Sequence, residues 1–249
     1  MSRDNIYAQD HPSLGAFAFD DAVARVFPDM IKRSVPGYTT IIPMIGVISE
    51  HYAQDNSQLY DLGCSLGASL LAMRNGVKAK NCKVVGIDNA QAMLERCQTY
   101  VDQDSERTSP EGINDNVPVE LHLGDITSFP YVDASVVTLN FTLQFIAPDK
   151  RQTLIQTLFD AMLPGGALIL SEKICFEGAE QALQEQLHWD FKRANGYSDL
   201  EVSQKRSALE NVLLPETAQA HIDRLKTAGF SQASQWYQCF NFTSFIAIK

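Results

Sequence analysis

Three acidic residues stand where three successive apolar runs of this chain end. Asp61 leads into a glycine-bearing turn, Asp88 ends the second run, and Asp125 ends the third. Because the carboxyl ends of parallel strands meet at one edge of an open α/β sheet, where ligands bind, we expect these carboxylates to surround one pocket. Carboxylates attract a cation and repel a phosphate. The pattern therefore favours a positively charged ligand.

The glycine turn, residues 63–67, connects the first run to a predicted helix over 68–74. Gly63 and Gly67 can adopt positive φ and let the backbone approach a ligand closely. The same glycines would also serve an ordinary tight turn between a strand and a helix. Their spacing of four excludes the G-x-G-x-x-G fingerprint of dinucleotide-binding proteins.

The order of the strand ends suggests how a nucleoside would be held. Asp88, on the second strand, is placed to accept hydrogen bonds from both hydroxyls of a ribose. Asp125 could accept a hydrogen bond from an adenine amino group, while the following backbone N–H, that of Ile126, contacts the ring. This arrangement is typical of S-adenosylmethionine-dependent methyltransferases.

Length and charge limit the class of protein. At 249 residues and 45% hydrophobic composition, the chain can bury one full α/β core, and we predict a single domain over 1–249. The net charge of −10 argues against direct binding of nucleic acid, which requires clustered lysine and arginine. No apolar run approaches the length of a membrane span.

The five cysteines are odd in number and lack C-x-x-C spacing, which predicts reduced thiols and a cytoplasmic location. Cys64 lies inside the glycine turn and could be a nucleophile or a small packing residue. Packing is favoured because no histidine lies near it in sequence. The histidines show no spacing typical of metal ligands, so we predict no metal site.

Residues 1–55 are predicted to form a helical cover over the sheet. Pro28 is expected to split the first apolar stripe into two short helices, and Pro43 is expected in the first turn of the next helix. The segment 35–38 reads as a turn. Its last residue, Tyr38, could face the pocket or be an ordinary half-buried tyrosine.

Strand and helix patterns alternate through the rest of the chain. A buried strand over 134–140 ends in Asn140, and the glycines of 164–166 are expected to end the following helix. The alternation predicts a doubly wound, mainly parallel, Rossmann-like seven-stranded sheet. The runs 231–240 and 241–249 predict a hairpin at its edge, with the last strand reversed.

A long insertion, residues 173–215, is predicted to form a helical lid. It carries Lys192, Arg193, Lys205 and Arg206, a basic cluster in an otherwise acidic chain. The cluster favours an anionic second substrate, but it could instead be a solvated helix face paired with nearby glutamates such as Glu201 and Glu210. His188 is interpreted as a packing residue.

Six sequence segments, distributed over nearly the full length of the chain, match one protein family, and the two segments in the lid are the most specific to it. With them the chain resembles the carboxy-S-adenosyl-L-methionine synthase family, which has a class I methyltransferase-like fold. The runs are 26–31, 33–38, 60–68, 139–145, 190–198 and 204–207.

The resemblance implies an unusual reaction. S-adenosylmethionine and prephenate would give carboxy-S-adenosylmethionine and phenylpyruvate, and a tRNA carboxymethyltransferase would use the product to modify a wobble uridine. The family resemblance also implies a homodimer. Because prephenate supplies both carbon dioxide and a base as it becomes aromatic, the enzyme would mainly position its substrates and exclude water.

The resemblance also assigns residues. Arg206 would hold the added carboxylate, the one catalytic role assigned, because its planar guanidinium fits a carboxylate. The adenosylmethionine part would be bound by Tyr38, Gly63, Cys64, Ser65, Asp88, Asn89, Asp125, Ile126 and Asn140.

Two other functions stay open. An ordinary methyltransferase on the same scaffold is one, although residues 140–142 read Asn-Phe-Thr rather than the Asn-Pro-Pro-aromatic clamp of amino-methylating enzymes. A ligand-binding module without chemistry is the other. The basic lid argues against such a module, because binding a cation alone does not require basic residues over the pocket.

Overall fold

The computed structural model describes residues 2–9, 17–106 and 117–249. A seven-stranded sheet forms its centre, in the order β3-β2-β1-β4-β5-β7-β6. Strands β1 to β5 are parallel, and β7 runs antiparallel between β5 and β6. The strands are β1 Gln58–Leu62, β2 Lys83–Asp88, β3 Val119–Leu123, β4 Ala134–Asn140, β5 Met162–Lys173, β6 Gln232–Cys239 and β7 Phe242–Ile248.

This topology confirms the predicted doubly wound sheet with its reversed last strand. Eight α-helices lie among the described residues, together with a short 3₁₀ turn at Leu143–Phe145. None of these helices is long and apolar enough to cross a membrane. The helices are α1 Asp21–Ser34, α2 Tyr38–Tyr52, α3 Ala68–Gly76, α4 Gln91–Ser105, α5 Pro148–Ala161, α6 Gly178–Ala194, α7 Asp199–Leu209 and α8 Ala218–Ala228.

Two apolar clusters cover the faces of the sheet. On one face Leu154 of α5 and Leu225 of α8 pack in a cluster with buried residues of the strands. On the other, Ile41 of α2 and Leu70 of α3 pack in a second cluster with residues such as Leu59. The parallel strands are buried on both faces, which explains why they read as continuous apolar runs.

The predicted split of the first helix is wrong. Pro28 lies inside a single helix, α1, because Val23 and Met30 on either side of it are buried in one apolar cluster. Pro43 likewise lies beyond the first turn of α2, between the buried Ile41 and Ile45. Tertiary packing therefore outweighs the lost backbone hydrogen bond at both prolines.

The predicted end of α5 at the glycines of 164–166 is also wrong. The helix ends at Ala161, and β5 begins at the next residue. The register between β4 and β5 shifts in this segment, and Gly165 takes φ of +77°. The glycines therefore form an irregularity inside the strand. The polar loop predicted over 103–117 lies mostly outside the described residues.

The lid is tied to the start of the chain. The Arg33 Nε donates to the carbonyl oxygen of Asn195 at 2.7 Å, and the Tyr197 hydroxyl donates to the buried carboxylate of Asp4. Gln204 Nε2 donates to the carbonyl oxygen of Tyr7 at 3.1 Å. These contacts bring α6 and α7 over the carboxyl ends of the strands. The domain limits remain predictions.

Candidate functional site

A cavity of about 1000 Å³ opens at the carboxyl ends of the parallel strands, beneath the lid. The structure brings to this cavity every residue that the family resemblance assigned to ligand binding, although the contacts with a ligand remain a proposal. The lining includes Tyr38, Gly63, Cys64, Ser65, Asp88, Asn89, Asp125, Ile126, Asn140 and Arg206.

The glycine turn is fixed against the second strand. The backbone N–H groups of Gly63 and Cys64 both donate to the carbonyl oxygen of Ile87, at 2.8 and 3.1 Å. Gly63 has φ of +70°, and a Cβ there would lie 2.5 Å from Cγ2 of Thr142. Both the conformation and the close approach therefore require glycine at this position.

Asp88 joins the two loops that form the floor of the cavity. Its Oδ2 accepts a hydrogen bond from the backbone N–H of Ser65 at 2.8 Å, and its Oδ1 accepts from that of Ala90 at 2.9 Å. Burial raises the pKa of Asp88, while these N–H groups oppose the rise. Asp88 therefore positions the glycine turn as well as facing the cavity.

The third strand end is more exposed. Asp125 Oδ1 accepts hydrogen bonds from the backbone N–H and the hydroxyl of Thr127, both at 2.8 Å, which hold the pKa of Asp125 below its usual range. Ile126 beside it is buried, and Asn89 is exposed. This end of the cavity thus combines an ionised carboxylate with an apolar surface, which suits a flat heterocycle.

Cys64 is a packing residue. A hydrogen bond with Cys97, followed by burial, raises the pKa of the Cys64 thiol well above its ordinary value. The side chain belongs to the apolar cluster that contains Leu70. A thiol that stays protonated is a poor nucleophile, so the packing alternative agrees with the geometry.

Two polar side chains on the cavity wall have hydrogen-bonding capacity to spare. Asn140 Nδ2 donates to Ser69 Oγ at 3.0 Å, but within the described part of the chain its buried Oδ1 has no partner. Tyr38 is half-buried, and burial raises the pKa of its hydroxyl. An amide oxygen that accepts and a hydroxyl that donates are thus available to a ligand.

Asp61, which was expected to surround the pocket together with Asp88 and Asp125, is not among the residues that line the cavity. It is fully buried, and among the described residues its Oδ2 has no hydrogen-bond partner. Burial raises the pKa of Asp61 to about 7, the N–H of Leu70 opposes the rise, and the neighbouring Asp88 adds to it. The position of Asp61 just before the glycine turn indicated that it would lie near the ligand. That position did not indicate that the side chain would be fully buried.

We expect Asp61 to make binding of a cation depend on pH. A cationic ligand favours the ionised carboxylate, so affinity should rise as pH increases from 6 to 8, by at most about tenfold per pH unit. Asp61→Asn should flatten the profile, because asparagine does not titrate. Any pH dependence that comes from Asp88 or from the ligand is common to both proteins, so the difference between the two profiles reports on Asp61. Calorimetry at three pH values with S-adenosylmethionine would test this. Identical profiles for the two proteins would contradict it.

The basic cluster divides into two sets. Arg193 is exposed and pairs with Asp190 at 2.8 Å and Asp199 at 2.7 Å, so for this residue the solvated-face alternative is right. Lys192, Lys205 and Arg206 line the cavity instead. Glu201 does not pair with them, because it closes the capping box of α7 with Ser198.

Arg206 lies at the edge of the cavity with its guanidinium carbon 5.4 Å from the centre of the Trp189 ring. It is exposed, and it forms no ion pair with any described residue. Stacking on an aromatic face holds the guanidinium plane while leaving its N–H donors available.

The fold is that of the class I S-adenosylmethionine-dependent methyltransferases. The family model described as a methyltransferase domain matches residues 59–166, which run from β1 into β5. Solved structures agree on the fold, at 15% identity. An O-methyltransferase family protein from Burkholderia thailandensis aligns with a TM-score of 0.59. Human N-acetylserotonin methyltransferase in complex with S-adenosylmethionine aligns with a TM-score of 0.57.

These alignments cover 92% of this chain but only 59% and 55% of the two solved chains, so they extend to the fold and no further. Curated relatives are much more similar. Carboxy-S-adenosyl-L-methionine synthase of Marinobacter nauticus is 60% identical over 234 residues, 94% of this chain and 90% of the relative. The Pseudomonas aeruginosa protein of the same name is 52% identical over 98% of both chains. The chain belongs to the carboxy-S-adenosyl-L-methionine synthase family and is a transferase.

Proposed function

We propose that this chain converts S-adenosylmethionine and prephenate into carboxy-S-adenosylmethionine and phenylpyruvate. The observation that carries the proposal is one cavity with an acidic floor at Asp88 and a cationic lid at Lys192, Lys205 and Arg206. An ordinary methyltransferase needs the acidic floor only. An anionic second substrate and a carboxylated product would both be stabilised by a cationic lid.

The residues of the cavity fit S-adenosylmethionine. Asp88 is placed for the ribose hydroxyls, Asp125 and Ile126 for the adenine, and Tyr38 and the glycine turn for the amino-acid end. The orphaned Oδ1 of Asn140 supports this assignment, because a buried acceptor without a partner gains most from a donor on the ligand.

The bound sulfonium supplies an acidified methyl group, whose carbon exchanges a proton for carbon dioxide. Prephenate, as it becomes aromatic, loses carbon dioxide and hydroxide, and the hydroxide with that proton makes water, so the atoms balance. The protein's task is to hold the two substrates together and exclude bulk water. His188 is an unsuitable general base at Nε2, because burial lowers its pKa and this nitrogen lies 2.8 Å from the carbonyl oxygen of Ser34.

Incubation with both substrates should yield phenylpyruvate and carboxy-S-adenosylmethionine in equal amounts, without S-adenosylhomocysteine. The expectation follows because the methyl group stays on sulfur throughout. Mass spectrometry of the products would measure it, with each substrate omitted in turn as the control. S-adenosylhomocysteine formed in step with a methylated acceptor would instead establish an ordinary methyltransferase.

Family resemblance supports three further proposals. The product would serve a tRNA carboxymethyltransferase that modifies a wobble uridine, the chain would act as a homodimer, and it would work in the cytoplasm. The net charge of −10 supports an enzyme that acts on small molecules and does not itself bind tRNA. The five cysteines carry no disulfide, which agrees with a reducing compartment.

A further inference from the structure

Three lysines from three different elements meet on the lid side of the cavity. Lys173 ends β5, Lys192 lies in α6 and Lys205 lies in α7, and all three line the cavity. Lys192 and Lys205 are 7% and 6% exposed, values that lysine rarely reaches without a charged partner.

The protein compensates these charges only in part. Lys205 Nζ donates to Ser34 Oγ at 2.9 Å and lies 3.8 Å from a carboxylate oxygen of Asp4. Within the described part of the chain, no carboxylate oxygen lies within 4 Å of the Nζ of Lys173 or Lys192. Burial and the other two lysines lower the pKa of Lys192 to about 7. Burial and mutual repulsion thus disfavour the charged forms of these lysines, and an anion bound among them would favour those forms.

The acidic groups nearby do not balance the lysines. Glu185 also lines the cavity and acts electrostatically on Lys173, so it offsets part of the charge of one lysine out of three. His188 is buried among the lysines, and its low pKa keeps it neutral. An anionic ligand would therefore find more positive than negative charge in this part of the cavity.

We propose that Lys173, Lys192 and Lys205 form a lysine chamber that binds the oxo-acid carboxylate of the second substrate, the carboxylate that its product retains. This proposal rests on the proposed function, because prephenate carries two carboxylates and one of them leaves as carbon dioxide. Pairing with lysines stabilises a carboxylate and so opposes its loss. The chamber therefore suits the carboxylate that stays, while Arg206 at the cavity edge is free for the one that is transferred.

The test uses Lys192→Met, which removes one charge and keeps most of the length of the side chain. The matched control is Arg193→Met, one residue along α6 but exposed and paired outside the cavity. Calorimetry with S-adenosylhomocysteine bound, so that no turnover occurs, would measure the affinity of each protein for prephenate and for phenylpyruvate. Phenylpyruvate retains only the oxo-acid carboxylate and so identifies which one the chamber holds.

We expect Lys192→Met to bind both anions at least tenfold more weakly, while Arg193→Met binds them as the wild type does. The melting temperature of Lys192→Met should equal or exceed the wild-type value, because an unpaired buried ammonium is costly. A lower melting temperature with unchanged affinity would mean that Lys192 is a structural residue.

The outcomes separate this inference from the proposed function. If the variant binds prephenate weakly but phenylpyruvate normally, the retained carboxylate lies elsewhere and the chamber assignment is wrong. If both affinities are unchanged while the wild type forms phenylpyruvate, the chamber fails and the proposed function stands. If binding weakens as expected but the wild type forms no carboxy-S-adenosylmethionine, the reaction is wrong and the chamber stands. A wild type that binds neither anion would overturn the chamber.

Discussion

Replacing Arg151 with methionine is expected to lower the free energy of unfolding by about 3–5 kcal/mol, the cost of breaking a buried charged network. Arg151 in α5 has no exposed surface. Its Nε donates to the carbonyl oxygen of Ile146 at 2.8 Å, its Nη2 to that of Leu214 at 2.8 Å, and its Nη1 to a carboxylate oxygen of Glu216. Methionine fills much of the volume but leaves these acceptors without their donor.

The same substitution should loosen one wall of the cavity. Burial raises the pKa of Glu172 to about 8, while Arg151 and the hydrogen bonds that Glu172 accepts from the backbone N–H groups of Leu143 and Gln144, at 2.9 and 2.8 Å, oppose the rise. Gln144 lines the cavity. Denaturant titration would measure the loss. Arg25→Met at the exposed pair of Arg25 with Asp21 is the control, expected within about 1 kcal/mol of the wild type. Equal losses in both variants would contradict the prediction.

The sheet could be predicted from sequence because each of its strands corresponds to a local pattern of residues. The strand ending in Asn140 was predicted with the observed bounds, since a run buried on both faces is continuously apolar. The three helix errors share one cause. Proline and glycine report only local preference, whereas packing on both sides of Pro28, or pairing with neighbouring strands around Gly165, decides the outcome.

The acidic half of the site was also predictable, because Asp88 and Asp125 follow directly from the ends of their strands. The cationic half was predicted only in part: the basic cluster of the lid included Lys192 and Lys205, but Lys173 lies apart from them in sequence and joins them only in the folded chain. Arg193 shows the limit most clearly. It stands next to Lys192 in sequence, yet a rotation of about 100° per helical residue turns it towards Asp190 and solvent.

Asp4 was equally hidden from sequence reasoning. It is 2% exposed, accepts a hydrogen bond from the Tyr197 hydroxyl and lies close to Lys205. These partners are about two hundred residues away in the chain. Since a contact across that distance has no local pattern, only the assembled fold shows that the start of the chain helps to hold the lid.

Replacing Arg206 with alanine is expected to remove the preference for carboxy-S-adenosylmethionine over S-adenosylmethionine. A charge-assisted hydrogen bond to the added carboxylate contributes about 1.5–3 kcal/mol, which is roughly ten- to a hundredfold in affinity. Arg206 can supply it because it lines the cavity, stacks on Trp189 and has no ion pair among the described residues. S-adenosylmethionine lacks the added carboxylate on its methyl carbon, so its affinity for the protein should change little.

Arg206→Lys should recover only part of the preference, because an ammonium keeps the charge but cannot form the planar, two-point contact. Competition titrations of the two ligands against wild type, Arg206→Ala and Arg206→Lys would measure the ratios, with Arg193→Ala as the control for general loss of lid charge. The control should keep the wild-type ratio. A strong preference that survives in Arg206→Ala would show that the added carboxylate is held elsewhere. The chamber lysines, which line the same cavity, would then be the next candidates for holding it, and both carboxylates of the reaction would have to share one site.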